Sequence, residues 1–111
     1  MNTKQLKIIE NYMLVNHYTR REREVLLEFL KIHKSDEFKI TIFDKRKIVE
    51  SINIPLQNID NVLSNLTRKN LLILMERSVY KVVDPMIVKV IDGKPTKITY
   101  DFTRRPKIIV A

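Results

Sequence analysis

The chain is limited first by what it lacks. It contains no cysteine, which excludes disulfides and thiolate metal sites. A single glycine is too few for the glycine-rich loops that cradle phosphate groups. No apolar run approaches the roughly 20 residues that a membrane-spanning helix requires, and residues 1–12 lack the apolar core and cleavage site of a secretion signal. The sequence therefore predicts a soluble protein of the cytoplasm without a membrane partner.

Groupings typical of catalysis or metal binding are also scarce. The two histidines, His17 and His33, have no carboxylate or cysteine partner at ligand spacing. His33 is better explained as a favourable charge near the carboxyl end of a helix. No nucleophile–base pair stands out, so we expect no enzymatic activity, no cofactor and no bound metal.

The composition indicates one folded domain with an anionic partner. Of the 111 residues, 44% are hydrophobic, enough to bury a single core. The 21 basic and 13 acidic side chains give a net charge of +8, which favours nucleic acid as a partner. Solvated surface lysines are the simpler alternative, because a basic chain needs no anionic partner.

Residues 48–72 have the spacing of two short helices joined by a tight turn. Asn53 lies at the turn, and asparagine tolerates the left-handed conformation that such a turn needs. Ile54 fills the gap between the helices, and Pro55 pre-sets the backbone for the second helix. The inward positions repeat at helical spacing: Ile48, Val49, Ile52, Ile59, Val62, Leu63 and Leu66. This pattern predicts a helix-turn-helix, with Asn70 as a left-handed stop.

Two helices are expected before this motif. Residues 4–15 favour a helix, although residues 12–15 also suit a short strand. Thr19 and Glu22 form a capping box, which opens a helix that runs to about His33. The expected core face of this second helix is Val25, Leu26, Phe29 and Leu30.

A strand is expected between the second helix and the motif. Residues 35–37 are a break, and residues 38–42 alternate apolar and polar side chains as a strand does. Asp44 is then expected to cap a helix that begins near Lys45.

Two β-hairpins are expected after the motif. Strands at residues 71–74 and 79–83, around a polar turn at residues 75–78, make a hairpin of the size called a wing. The Asp84-Pro85 step ends it, because proline cannot donate to a sheet ladder. Residues 86–92 and 96–102 alternate around turn residues and predict a second hairpin, and the chain ends in the apolar run Ile108-Ile109-Val110.

These elements together predict an α+β fold. The expected architecture is a winged helix-turn-helix, with a three-helix core plus a β-hairpin wing, and an additional C-terminal β-hairpin. The expected divisions are an N-terminal segment at residues 1–18, a winged-helix domain at 19–85, and a basic C-terminal hairpin and tail at 86–111.

The second helix of the motif, residues 56–69, carries the candidate base-reading side chains. At 100° per residue, Gln57, Asn61, Ser64 and Arg68 lie on one outward ridge opposite the apolar stripe. The candidate base-reading side chains are Gln57, Asn58, Asn61 and Ser64. Glutamine and asparagine suit bidentate contact with adenine, each good pair giving about 1–3 kcal/mol of discrimination. The alternative is a solvated face that needs no partner, and Asp60 on this helix would repel a phosphate. Candidate phosphate contacts are Lys45, Arg46, Lys47, Arg68, Lys69, Arg77 and Lys81.

Residues 48–72 resemble the DNA-reading core of winged-helix regulators of the MarR type. Residues 25–88 are similar to the RepL-type replication proteins of plasmids and phages, in which the winged helix ends in a strand followed by Asn-Pro. The corresponding run here is Val79-Tyr80-Lys81-Val82-Val83-Asp84-Pro85. The recognition helix is less basic than is usual in these families, and the tail from Met86 has no counterpart in them.

The resemblance implies binding to double-stranded DNA in a bacterial or phage-infected cell. Transcription regulation of phage or plasmid type is the first expectation, and control of DNA replication is the second. A third is a protein-binding module that grips host polymerase or replication machinery, which the weakly basic helix favours. A homodimer is among the expected partners, because such readers commonly pair to cover two half-sites.

Overall fold

The computed structural model describes residues 2–32, 39–92, 96–99 and 107–110, the last two ranges by their backbone. The helices of this part are α1 Thr3–Val15, α2 Arg20–Ile32, α3 Ile42–Ile52, α4 Leu56–Arg68 and α5 Pro85–Ile91. The strands are β1 Lys39–Ile40, β2 Leu72–Glu76, β3 Val79–Val82, β4 Thr96–Thr99 and β5 Lys107–Val110. The predicted order of helix, strand, helix, helix, strand, strand is confirmed from α2 to β3.

Both predicted N-terminal helices are confirmed, and each begins at a capping box. Asn2 caps α1 in a reciprocal pair with Gln5, whose amide donates to Asn2 Oδ1 at 2.8 Å. At α2 the Thr19 amide donates to Glu22 Oε1 at 2.7 Å, and the Glu22 amide donates to Thr19 Oγ1 at 3.2 Å. The predicted core face of α2 is buried. The predicted helix end at His33 and the break at residues 35–37 lie outside the described residues.

The predicted start of α3 is wrong. The strand β1 ends at Ile40, and Thr41 is the cap, because its amide donates to Asp44 Oδ2 at 2.9 Å and its hydroxyl accepts from the Asp44 amide at 3.4 Å. Asp44 is therefore the third helical residue of a capping box, and Ile42 belongs to the helix instead of the strand. The predicted strand residue Phe38 lies outside the described residues.

The two helices predicted at residues 48–72 form, and a tight turn joins them. Asn53 has a left-handed backbone, with φ 52° and ψ 54°, and Asn70 after α4 has φ 63°. Ile54 is buried between the helices, and Pro55 directly precedes α4 with φ −60°. The predicted stripe on α4 is buried: Ile59, Val62, Leu63 and Leu66.

The strands β1, β3 and β2 form an antiparallel sheet in that order. Ile40 is opposite Tyr80 on one side of β3, and Leu74 is opposite Tyr80 on the other. The predicted turn at residues 75–78 is too long, because β2 continues through Glu76 past a bulge and only Arg77 and Ser78 turn. Ser78 has φ 62°, so its left-handed conformation closes this short loop.

The predicted strand at residues 86–92 is wrong, because this stretch is helix α5. Asp84 caps the helix, its Oδ1 accepting from the amides of Met86 at 3.0 Å and Ile87 at 3.2 Å, and Pro85 is the first helical residue. Proline suits that position because its missing N–H has no helical partner to lose. The second hairpin does not pair residues 86–92 with 96–102. Instead β4 pairs with β5, Thr96 opposite Val110.

The core joins α1 and α5 to the central elements. Ile9 and Met13 of α1 share one buried cluster with Ile87 of α5 and with α2, α3 and α4. The Tyr12 hydroxyl also donates to Asp84 Oδ2 at 2.8 Å. The buried core therefore contains residues from both sides of the expected divisions at residues 18–19 and 85–86. The result is an α+β fold with a small antiparallel sheet, an architecture compatible with a winged helix.

Candidate nucleic-acid interface

Helix α4 exposes the side chains that were predicted to read bases. Gln57 and Asn61 are exposed and Ser64 is half-buried, opposite the apolar stripe that packs into the core, and Asn58 is exposed at the flank of that stripe. Each side-chain amide offers both a donor and an acceptor, the pairing that an adenine edge requires. The helix therefore presents hydrogen-bonding groups in one direction while its other side is held rigidly.

Lys45 lies inside the fold, although it was predicted to contact phosphate. Lys45 is only 3% exposed. Its Nζ lies 3.0 Å from Asp60 Oδ1 and 5.3 Å from the centre of the Tyr80 ring. A phosphate contact by Lys45 would require this ion pair to break. The ammonium instead connects α3, α4 and β3.

This arrangement also changes the role of Asp60. Its side chain is 49% exposed on α4, where an unpaired carboxylate would repel DNA. The ion pair with Lys45 supplies an opposite charge next to it. The sequence carries a signal for the inward position of Lys45, though not for its partner, because Lys45 precedes Ile48, Val49 and Ile52 at the spacing of the same inward helical stripe.

Lys69 makes a second internal ion pair. Its Nζ is 2.6 Å from Glu22 Oε1 and lies 5.1 Å from the centre of the Tyr18 ring. Burial raises the pKa of the Glu22 carboxyl, but hydrogen bonds from Lys69 and from the Thr19 amide and hydroxyl outweigh it, so the pKa is lower than usual. The pair connects the start of α2 to the end of α4. The sequence around either residue gives no sign of this ion pair, because Glu22 and Lys69 are 47 positions apart in the chain.

Glu22→Gln is expected to reduce the loss of stability in acid. The lowered pKa stabilises the folded state at pH values above the usual carboxyl pKa of 4.5, and this stabilisation is lost as pH falls through the folded-state pKa. At pH 7 the variant should be about 1 kcal/mol less stable than the parent, a modest loss because Lys69 is partly exposed and can be rehydrated.

Urea unfolding at several pH values between about 3 and 7 measures this difference. The matched control is Glu24→Gln, which removes the same charge from a more exposed carboxylate paired with Arg20 and Arg21. The difference in free energy of unfolding between the parent and Glu22→Gln should disappear in acid. A difference that stays constant with pH would contradict the lowered pKa of Glu22.

Lys69 keeps 40% of its side chain exposed beside Glu22, and the remaining predicted phosphate contacts also reach the surface. Arg46 and Lys47 are exposed on the outward side of α3, Arg77 is exposed at the hairpin turn, and Lys81 is half-buried on β3. Arg68 is exposed in the last turn of α4, where it lines a cleft with Asn16 and Asp84 among others. In sequence order, exposed cations therefore precede α4 on helix α3 and follow it on the β2–β3 hairpin.

Several exposed apolar side chains were not anticipated from the sequence. Phe43 on α3 is 69% exposed, and Ile73, Leu74 and Met75 on β2 are 43%, 55% and 48% exposed. The predicted strand at residues 71–74 ends before Met75, so the prediction separates Met75 from Ile73 and Leu74, whose exposure it shares. For Phe43 the signal was available, because Arg46 and Lys47 follow it at helical spacing.

Comparison with protein-family models, with curated proteins and with solved structures found no significant match. In the described part of the chain, no group of three or more histidine, aspartate or glutamate side chains is placed to hold a metal ion. Within the same residues, no helix is both long enough and apolar enough to cross a membrane.

Proposed function

We propose that the chain binds double-stranded DNA as a winged helix-turn-helix protein, with α4 in the major groove. The observation that carries this proposal is the exposed amide face of α4, on which the one carboxylate is paired with Lys45. The base-reading side chains are Gln57, Asn58, Asn61 and Ser64. The phosphate contacts are Arg46, Lys47, Arg68, Arg77 and Lys81.

The geometry around α4 supports a groove-reading role. The left-handed turn at Asn53 and the buried Ile54 fix the angle between α3 and α4. The Lys45 ammonium then joins both helices to β3. A recognition element held from two sides presents its side chains in one geometry, which limits the entropy lost when it binds.

Affinity would come chiefly from the flanks of the motif. Helix α4 has one basic residue, Arg68, in its last turn, so its first turns provide hydrogen bonds and little electrostatic attraction. Arg46, Lys47 and Arg77 provide the attraction to phosphate, which supplies most of non-specific DNA affinity. Base contacts by α4 then select the sequence.

Transcription regulation and replication control both require this duplex binding, and we propose regulation of transcription as its use. A homodimer would place two copies of α4 on a pair of half-sites. The alternative proposal, a protein-binding module that grips polymerase or a replication protein, is favoured by the exposed Ile73, Leu74 and Met75 on β2.

Selection of bound duplexes from a random pool tests the proposal, and Asn61→Ala then tests the role of α4. The variant should bind the selected duplex between about fivefold and a hundredfold more weakly, because one bidentate base contact is lost. Preference at one base position should relax, as competition among single-base variants of the duplex would measure.

The matched control is Asn11→Ala, which removes an exposed amide from α1. It should leave both affinity and base preference unchanged. Enrichment of no duplex from the pool would count against DNA binding and favour the protein-binding alternative. If Asn61→Ala leaves both the affinity for the selected duplex and the base preference unchanged, α4 does not read that duplex.

A further inference from the structure

Phe43 is the most exposed of the large hydrophobic side chains in the described part of the chain, at 69%. It lies in the first turn of α3, where the capping box of Thr41 and Asp44 forms the helix start without it. It is absent from the buried core and from the partly buried residues that pack on the core. Nothing in the described fold therefore requires an aromatic side chain at this position.

The neighbours of Phe43 on the helix surface are mainly basic. Arg46 and Lys47 follow it by three and four residues, so they lie on the same outward side of α3, and both are exposed. Glu50 is also exposed on this side, one further turn along. Among the described residues on this side of α3, the two cations are therefore nearest the ring, and the Glu50 carboxylate is farther away. We call Phe43, Arg46 and Lys47 the α3 face.

We propose that the α3 face binds a single-stranded stretch of nucleic acid, with an unpaired base stacked on Phe43 and its phosphates held by Arg46 and Lys47. An exposed aromatic ring with adjacent cations is the arrangement used for single strands, because every base has a π-face and every nucleotide has a phosphate. The pairing of ring and cations argues for this ligand over an apolar protein surface, which would leave both charges without partners.

A base within a duplex does not suit Phe43. Its faces are covered by the neighbouring base pairs, and freeing one face costs a few kcal/mol of unstacking. An unpaired base has a free face without that cost. Phe43 therefore distinguishes single strands from duplexes by stacking, whereas Arg46 and Lys47 can hold the phosphates of either ligand. Helix α4 carries hydrogen-bonding side chains suited to the edges of paired bases.

The two surfaces belong to adjoining elements. The Lys45–Asp60 ion pair of 3.0 Å joins α3 to α4, and Phe43, two residues before Lys45, lies about 200° around α3 from that contact. The inference itself does not depend on duplex binding, because a single strand alone suffices to test it.

The absence of tryptophan from the sequence allows a direct test. In the full chain, Phe43→Trp introduces a single indole on the α3 face, and stacking on a base should quench its fluorescence. Titration with oligothymidylate of about 12 nucleotides, a length within the range of single-strand sites, should produce strong, saturable quenching. The matched control is Leu14→Trp, whose parent side chain is 55% exposed on α1, and its fluorescence should stay unchanged.

Affinity measurements with Phe43→Ala complete the test. The variant should bind the oligothymidylate between about fivefold and a hundredfold more weakly, the loss that one base–aromatic stack represents. Its affinity for duplex DNA should stay within about twofold of the parent. Circular dichroism and urea unfolding should show an intact fold, because the ring is exposed.

The other outcomes would overturn the proposal. Absence of quenching, equal quenching by poly-glutamate, or quenching by duplex but not by the single strand would each show that Phe43 stacks on no unpaired base. Equal quenching in Leu14→Trp would indicate non-specific association. Duplex binding by the parent chain is measured separately, so failure of this site is distinguishable from failure of the proposed function.

Discussion

Reversing the charges of Arg46 and Lys47 together is expected to weaken binding to the selected duplex by about a hundredfold or more. Both side chains are exposed on the outward side of α3, so the change removes two phosphate contacts and places two carboxylates opposite phosphates. The slope of log K against log salt should also become shallower by about two, because two fewer counterions are released. Fluorescence anisotropy at a series of salt concentrations measures both effects.

A control with the same change in net charge separates local contact from general attraction. Lys4 and Lys7 are exposed on α1, and their joint replacement by glutamate lowers the net charge as much as the first pair does. The control should weaken binding far less and keep the parent slope. If both pairs weaken binding equally, the cations act through total charge and α3 is not at the interface.

Helices α3 and α4 and the turn between them were predictable because their signals are local. The turn depends on a single residue, Asn53, which tolerates the left-handed backbone observed there. The buried side of α4 follows from apolar spacing within the helix, and every predicted position is buried. The exposed amide face then follows by geometry, since it is what remains opposite the stripe.

Ion pairs between distant residues could not be predicted in the same way. Lys45 and Asp60 lie on different helices, and only the angle at which α3 crosses α4 brings them to 3.0 Å. Lys69 meets Glu22 for the same kind of reason. Composition identifies a cation as a candidate phosphate contact, whereas its accessibility depends on packing that composition does not encode.

A strand was predicted at residues 86–92, where the structure has helix α5, because the Asp84-Pro85 step is compatible with two structures. Proline ends a strand, but it also suits the first position of a helix. At Asp84-Pro85 the second structure forms, because Asp84 caps α5 and also accepts from the Tyr12 hydroxyl of α1. The contact with α1 is tertiary, so the sequence near residue 85 does not contain the information that decides between the two.

Lys45→Met is expected to lower duplex affinity by about tenfold or more through its effect on Asp60. Methionine keeps most of the apolar stem beside Tyr80 but removes the charge that neutralises the Asp60 carboxylate. That carboxylate is 49% exposed on α4, and like charges brought together at an interface cost up to several kcal/mol. The loss should therefore appear in DNA binding, while the half-exposed carboxylate is hydrated in the free protein.

The double variant Lys45→Met with Asp60→Asn distinguishes this role from a direct phosphate contact. With both charges removed, affinity should return to within about threefold of the parent, and the salt slope should match the parent slope. The fold should tolerate the change, because replacing both members of an ion pair is often close to neutral. If Lys45 contacted phosphate, Asp60→Asn would restore nothing and the slope would stay shallower by about one. Restored duplex affinity in the double variant would therefore show that Lys45 acts by positioning and neutralising the α4 face. Phosphate would then be bound by Arg46, Lys47 and the hairpin cations.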